Sequence, residues 1–173
     1  MRLILAAAFL FVAACASRPA IPDEASAARP FAIERDLLGK TTGRGTFKSI
    51  TGADRGFTAY LDGTYENGVF TLVEDFEFDD GEKDRKTWRL TQQADGSWRG
   101  TREDVVGEAI GYMDGPALRL EYKIDLPSKN GGARRVGFRD VLILREDGSV
   151  YNRAKVGWRG FNVGGVELVI TRE

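Results

Sequence analysis

The chain has 173 residues, with 25 Lys and Arg against 26 Asp and Glu, no histidine and a single cysteine, Cys15. Balanced charge excludes a nucleic-acid binder, because Arg134-Arg135 is the one short basic step and no basic stripe exists. Without histidine or a second cysteine there is no intramolecular disulfide, His-based triad or customary zinc centre, leaving carboxylates, Tyr, Lys, Arg and Ser for any chemistry.

Residues 1–14 read as an export signal, with Arg2 as the positive start, an apolar run over 3–12 and small residues leading to Cys15. That run is too short to span a bilayer as a helix, which takes about 20 residues. Val12-Ala13-Ala14-Cys15 resembles the lipobox of bacterial lipoproteins. The resemblance implies cleavage before Cys15, a diacylglycerol on its thiol and an acylated amino terminus. Ala16 stands where inner-membrane retention uses Asp, so the same resemblance implies the outer membrane, facing the periplasm. The expected partner through Cys15 is therefore the membrane.

Residues 15–30 hold three prolines and no apolar period, and read as a lipidated cysteine followed by a flexible tether. Fully stretched, such a tether reaches about 50 Å. Residues 31–173 are expected to form a single domain. Its first stretch has Phe31, Leu37 and Leu38 as apolar positions and Gly39 as a stop, which suggests a short helix capping one end of the fold.

From residue 42 onward Asx-Gly pairs punctuate the chain: Asp62-Gly63, Asn67-Gly68, Asp80-Gly81, Asp95-Gly96, Asp114-Gly115, Asn130-Gly131 and Asp147-Gly148. Each pair suits a type I′ hairpin turn. Between them lie runs of period-two alternation, clearest where Leu118, Leu120, Tyr122, Ile124 and Leu126 oppose Arg119, Glu121, Lys123 and Asp125. Strands are expected near 43–50, 56–62, 69–78, 85–93, 97–103, 108–113, 116–126, 134–145, 149–158 and 162–171, or nine or ten allowing for a bulge near Gly107. No connection is long enough for a crossover helix, so neighbours should pair antiparallel. The expected fold is all-β, an antiparallel up-and-down barrel, with a two-sheet sandwich as second choice.

Several polar residues fall on the dry face. Glu74 shares a row with Phe70, Leu72, Phe76 and Phe78; Asp140 with Val136, Phe138, Leu142 and Leu144; Asn152 with Val150, Ala154, Val156 and Trp158; and Arg102 with Trp98. A buried carboxylate must be paired, protonated or near a wet opening. Three readings follow: an internal network that fixes register, a set of groups orienting a ligand inside the barrel, or acid–base catalysis by Glu74 and Asp140. The acidic run Asp79-Asp80-Gly81-Glu82-Lys83-Asp84 lacks the ligand spacing of an EF-hand and reads as a solvated hairpin. Gly157, Gly160, Gly164 and Gly165 interrupt strands rather than open a helix, so they suit turns or bulges better than a phosphate loop.

Gly43-x-Gly45-x-Phe47, Leu72-Val73-Glu74-Asp75-Phe76, Asp80-Gly81, Arg85-x-x-Trp88, Gly100, Asp104-Val105-x-Gly107-x-Ala109-x-Gly111 and Asn152-Arg153-Ala154 follow one another in order. In this succession the chain resembles the DUF3833 family of predicted bacterial lipoproteins over about 31–173. Arg139-Asp140-Val141 departs from the family's acidic pair followed by Trp. The resemblance implies an envelope lipoprotein with a lipocalin-like barrel, no settled activity and no catalytic residues to carry over. It also implies a link to acyl chemistry, because such proteins tend to be encoded near fatty-acyl-modifying enzymes.

The sequence therefore points to a lipid-anchored barrel that binds or shelters an apolar small molecule such as a fatty acyl lipid. Trp88, Tyr122 and Phe138 would line the cavity, Glu74, Asp140 or Arg102 would orient a polar head, and Asn152 belongs to the same polar set. No cofactor or metal is expected, and a binder is favoured over an enzyme. The alternative is a non-catalytic structural or partner-binding lipoprotein with a filled barrel.

Overall fold

The computed structural model describes residues 18–26, 28–127 and 131–172. The expected signal peptide, residues 1–14, and Cys15 lie outside them. A single helical turn, α1 (Ile33–Asp36), precedes ten strands: β1 (Gly39–Ser49), β2 (Asp54–Glu66), β3 (Val69–Phe78), β4 (Lys83–Gln92), β5 (Trp98–Thr101), β6 (Ala109–Asp114), β7 (Ala117–Pro127), β8 (Ala133–Leu144), β9 (Val150–Trp158) and β10 (Phe161–Arg172). Each strand pairs antiparallel with its neighbours in sequence, and β10 returns to β1 to close the barrel. The seam runs from Thr41 opposite Arg172 to Ser49 opposite Gly164, so the sheet closes on itself.

Alternation decides which side faces in. Leu118, Leu120, Tyr122 and Ile124 of β7 stand opposite Leu142, Asp140, Phe138 and Val136 of β8, and both rows point into the barrel. Hairpins alternate between two ends. At one, α1 acts as a plug: Phe31, Ile33 and Leu37 are buried in one core with Phe70, Leu90 and Trp98. The turn is held by Asp36, whose carboxylate accepts from the Ala32 N–H at 2.8 Å and from both terminal nitrogens of Arg29 at 2.6 and 2.9 Å. Burial works against this carboxylate, but those donors outweigh it and hold its pKa below the usual range. The opposite end, carrying the β1–β2, β3–β4, β7–β8 and β9–β10 hairpins, is the mouth.

Three local expectations are corrected. Asp62-Gly63 is no turn, because it lies within β2; glycine is there because a Cβ would fall 1.9 Å from the Leu37 carbonyl oxygen. Type I′ geometry, with two consecutive positive φ angles, occurs at Asn67-Gly68 and, unforeseen, at Arg159-Gly160. At Asp80-Gly81, Asp95-Gly96 and Asp147-Gly148 only the glycine has positive φ, and its N–H closes a turn onto Phe78, Gln93 or Arg145. These are longer loops in which the glycine follows the turn proper.

The stretch expected as tether is not free over 18–26 and 28–30. Ser26 N–H donates to Leu144 O, Ala25 bridges Arg145, and Ile21 and Ala25 cover an outer patch of Ala117, Val141, Ile143 and Tyr151. The proline-rich composition removes regular structure there, but the apolar outer patch gives the segment something to bury against.

Candidate functional site

β5 and β6 are the shortest strands, so the wall between β4 and β7 is incomplete toward the mouth. The connection 102–108 fills it. Val106 N–H donates to Lys123 O on β7, Val105 bridges Ile124, and Glu103 accepts the Thr87 N–H of β4 at 2.9 Å. Arg102 was expected within a strand, on the face of Trp98; β5 in fact ends at Thr101, and the connection delivers Arg102 to the interior.

The Arg102 guanidinium is the hub of a polar cluster. It donates to Asp104 through Nε at 2.7 Å and Nη2 at 3.2 Å, and reaches Glu74 through Nη1 at 3.5 Å. Its side chain and that of Glu74 are only 11% and 13% exposed. Its central carbon lies 4.7 Å from the Trp88 ring centroid and 5.5 Å from that of Tyr122. Trp88 meets Tyr122 edge-on at 5.0 Å, and Tyr122 stacks on Phe138 at 5.1 Å. The Tyr122 hydroxyl donates at 3.5 Å to Asp140, which is buried in the neighbouring strand, and Asn152 is buried on the inner row of β9. All seven candidate interior residues thus belong to one inward-facing region that joins an aromatic wall to a charged group.

Electrostatics set its protonation. Burial raises the pKa of Glu74 to about 7 against the attraction of Arg102, with Asp104 and Glu103 adding repulsion. Burial likewise raises Asp140 to about 7, while Arg102, the Asn152 amide and the Tyr122 hydroxyl pull it down and the Glu74 charge pushes it up. Burial and the Asp140 charge also drive Tyr122 upward, so it remains a neutral phenol. For Arg102 the neighbouring Tyr122, Glu74 and Asp104 outweigh burial and keep it cationic. At neutral pH the two carboxyls are therefore each partly protonated beside a fixed guanidinium cation, which equips the cluster both to accept and to donate hydrogen bonds.

The network is incomplete. Asp140 Oδ1, Asn152 Nδ2 and Thr41 Oγ1 are buried and none makes a hydrogen bond of good geometry among the described residues; the Asn152 amide lies close enough to Asp140 to lower its pKa without closing such a bond. Sequence reading missed Thr41 and Asp104. Thr41 lies ahead of the expected start of β1 and looked like an ordinary strand residue, whereas Asp104, two residues beyond Arg102, was a visible signal for the pair.

A groove of about 580 Å³ along the β6–β9 wall is lined by Glu121, Arg139 and Lys155, by Gly137 and Gly157, and by Tyr122 and Phe138. The acidic β3–β4 hairpin is tied up by Arg55, which donates to Asp80 at 2.8 and 2.9 Å and also to Glu82.

A family model described as a protein of unknown function, DUF3833, matches residues 9–172. No curated protein matches the chain.

Proposed function

We propose that this chain, which belongs to the DUF3833 family, is a lipid-anchored envelope protein whose barrel binds or shelters an apolar small molecule with a polar head, a fatty acyl lipid being the class that fits. The observation that carries this reading is the pair of unsatisfied atoms on the inner wall, Asp140 Oδ1 and Asn152 Nδ2. A buried acceptor and donor left unpaired each cost about 1–3 kcal/mol, and a ligand hydroxyl, amide or carboxyl placed between them would recover that cost. Beside them the Trp88–Tyr122–Phe138 stack supplies an apolar surface for a chain, and a few placed polar groups in an apolar lining are what a ligand site requires. The anchor rests on the lipobox resemblance at Val12–Cys15, and outer-membrane placement facing the periplasm rests on Ala16.

A second reading, a filled barrel that serves as scaffold or partner platform, is favoured by the plug: Phe31, Leu37, Phe70 and Leu90 are fully buried and occupy the closed end. One experiment separates the two. Native mass spectrometry of the mature protein from its own host, followed by lipid extraction, is expected to give an adduct beyond the covalent anchor. The same adduct is expected on protein lacking the anchor, and it is expected to disappear in Asp140→Ala/Asn152→Ala. Bare polypeptide in both preparations would leave the scaffold.

A further inference from the structure

Three adjoining hairpins at the mouth leave large apolar side chains exposed at the rim. Ile50 of the β1–β2 turn is 67% exposed, Phe161 of the β9–β10 turn 66%, and Leu126 near the β7–β8 turn 40%. They are neighbours along the rim: Ile50 N–H donates to Val163 O, Phe161 pairs with Trp158, and Gly137 of β8 pairs with Gly157 of β9. Two cations gather on the same Trp158, with Arg134 and Arg159 at 4.9 and 4.8 Å from its ring centroid. Among the described residues, Arg134, Arg159 and the nearby Lys48 have no ion-pair partner. Hairpin turns are ordinarily polar, so apolar tips flanked by unpaired cations call for an occupant.

We propose that this side of the rim docks on the surface of an anionic lipid bilayer. Phe161, Ile50 and Leu126 enter the headgroup zone, and Arg134, Arg159 and Lys48 meet lipid phosphates. The features are those of interfacial contact: protruding aliphatic and aromatic tips, a tryptophan at their base, and cations at the same level. Charge fixes the orientation. Across the mouth the β3–β4 hairpin carries Asp79, Asp80, Glu82 and Asp84, while its cations Lys83, Arg85 and Lys86 and the neighbouring Arg55 are each engaged by a carboxylate. An anionic surface repels that side and attracts the other, so the barrel meets the bilayer along one edge of its mouth. Protruding hairpin tips suit a penetrable bilayer better than the flat, complementary face of a protein partner. The choice of a membrane rests on the envelope reading above, but docking needs neither a lipid on Cys15 nor a ligand in the barrel.

The test uses the chain from Ala16 onward without lipid, which retains every described residue, and vesicles of phosphatidylcholine alone or mixed equally with phosphatidylglycerol. Co-sedimentation at low salt is expected with the anionic vesicles and not with the neutral ones. Brominated lipid is expected to quench Trp158, since Trp88 and Trp98 are buried. Arg134→Glu/Arg159→Glu and Ile50→Ser/Phe161→Ser should each weaken binding by about tenfold or more, given the worth of each cation near a charged surface. Leu38→Ser, an exposed apolar residue at the plug end, should bind as the parent does. Failure to bind anionic vesicles, survival of binding in both double variants, or crosslinking from position 161 to an envelope protein in place of lipid would overturn the proposal. Each of these results is independent of whether lipid extraction finds a ligand.

Discussion

The Arg102 guanidinium rests 4.7 Å from the centroid of the Trp88 ring, and the same group bonds Asp104 and Glu74. One cation thus satisfies two carboxylates and caps an aromatic face, an arrangement in which a desolvated cation–π contact adds about 2 kcal/mol. Arg102→Met keeps the length and removes the charge. It should destabilise the barrel by about 3–5 kcal/mol at pH 8, because the partner carboxylates stay buried and unpaired. At pH 5 the loss should be roughly halved, since Glu74 is then protonated and needs no cation. Urea unfolding at the two pH values measures this; equal midpoints for parent and variant at pH 8 would place Arg102 in solvent.

Glu74 and Asp140, both raised by burial to about 7, give stability an unusual slope. An acid with a raised folded pKa binds its proton more tightly folded than unfolded between about pH 4 and 7, so each step upward in pH favours the unfolded chain. Stability should therefore fall from about pH 4.5 to 7.5, by on the order of 3 kcal/mol for each group, and level off above. Below that window Asp36, with its lowered pKa, works in the opposite sense and loses its contribution as it protonates. Glu74→Gln and Asp140→Asn should each flatten the slope. Thermal denaturation across the range checks this, and a parent that grows more stable toward pH 7.5 would refute the assignment of buried, neutralised carboxyls.

Gly63 makes the contact that seats the plug, because the Leu37 carbonyl oxygen occupies the place of its missing Cβ. A backbone carbonyl cannot rotate away as a side chain can. Gly63→Ala should displace α1 and cost about 2–4 kcal/mol, as other forced overpacking does. Gly43→Ala would meet the Leu168 Cδ1 atom at 2.8 Å, a side chain able to yield, and should cost less. Denaturant midpoints of the two variants, compared side by side, decide the ranking.

The strand order was legible because alternation and turn residues are local signals, and each of the ten strands overlaps an expected range, although β2 runs on to Glu66 and β5 stops at Thr101. What escaped depends on contacts distant in sequence. Asp62-Gly63 carries the same dipeptide as true turns, and only the approach of Leu37 distinguishes it. Glu74, Asp140 and Asn152 were found by asking which polar residues break an apolar row. Arg102 was found by the same rule although it lies beyond β5, and its bond to Asp104 follows from the path of the 102–108 connection. The packing of Ile21 and Ala25 was hidden because their neighbours suggest a linker, whereas the partner surface, Val141, Ile143 and Tyr151, comes from two strands more than a hundred residues downstream.

The anchor has a direct test in the cell. Cys15→Ser removes the thiol that the lipobox resemblance assigns to diacylglycerol. The protein should pass from the membrane pellet to the soluble or unprocessed fraction and lose all acyl label on metabolic labelling with a fatty acid. Persistent label on the variant would put the anchor elsewhere.

The N-terminal strap is held at its start by Arg119, which is buried at 6% exposure and shares its donors between the Pro19 carbonyl and Asp114. Beyond that point Arg18 pairs with Glu121 at 2.6 Å, but both are partly exposed, so this pair adds little. The apolar cover over Val141, Ile143 and Tyr151 and the bonds of Arg119 must then supply most of the hold. Arg119→Ala leaves the Pro19 carbonyl without its buried donor and should cost about 1–3 kcal/mol. The strap should open more often than the barrel unfolds, because it contributes no rung to the closed sheet. Limited proteolysis with a glutamate-specific endoprotease should therefore cut the variant after Glu24 well before the barrel, and faster than the parent by about tenfold or more, a factor that corresponds to roughly 1.4 kcal/mol of easier opening. Cleavage rates that match in parent and variant would show that Ile21 and Ala25 suffice to hold the segment without Arg119.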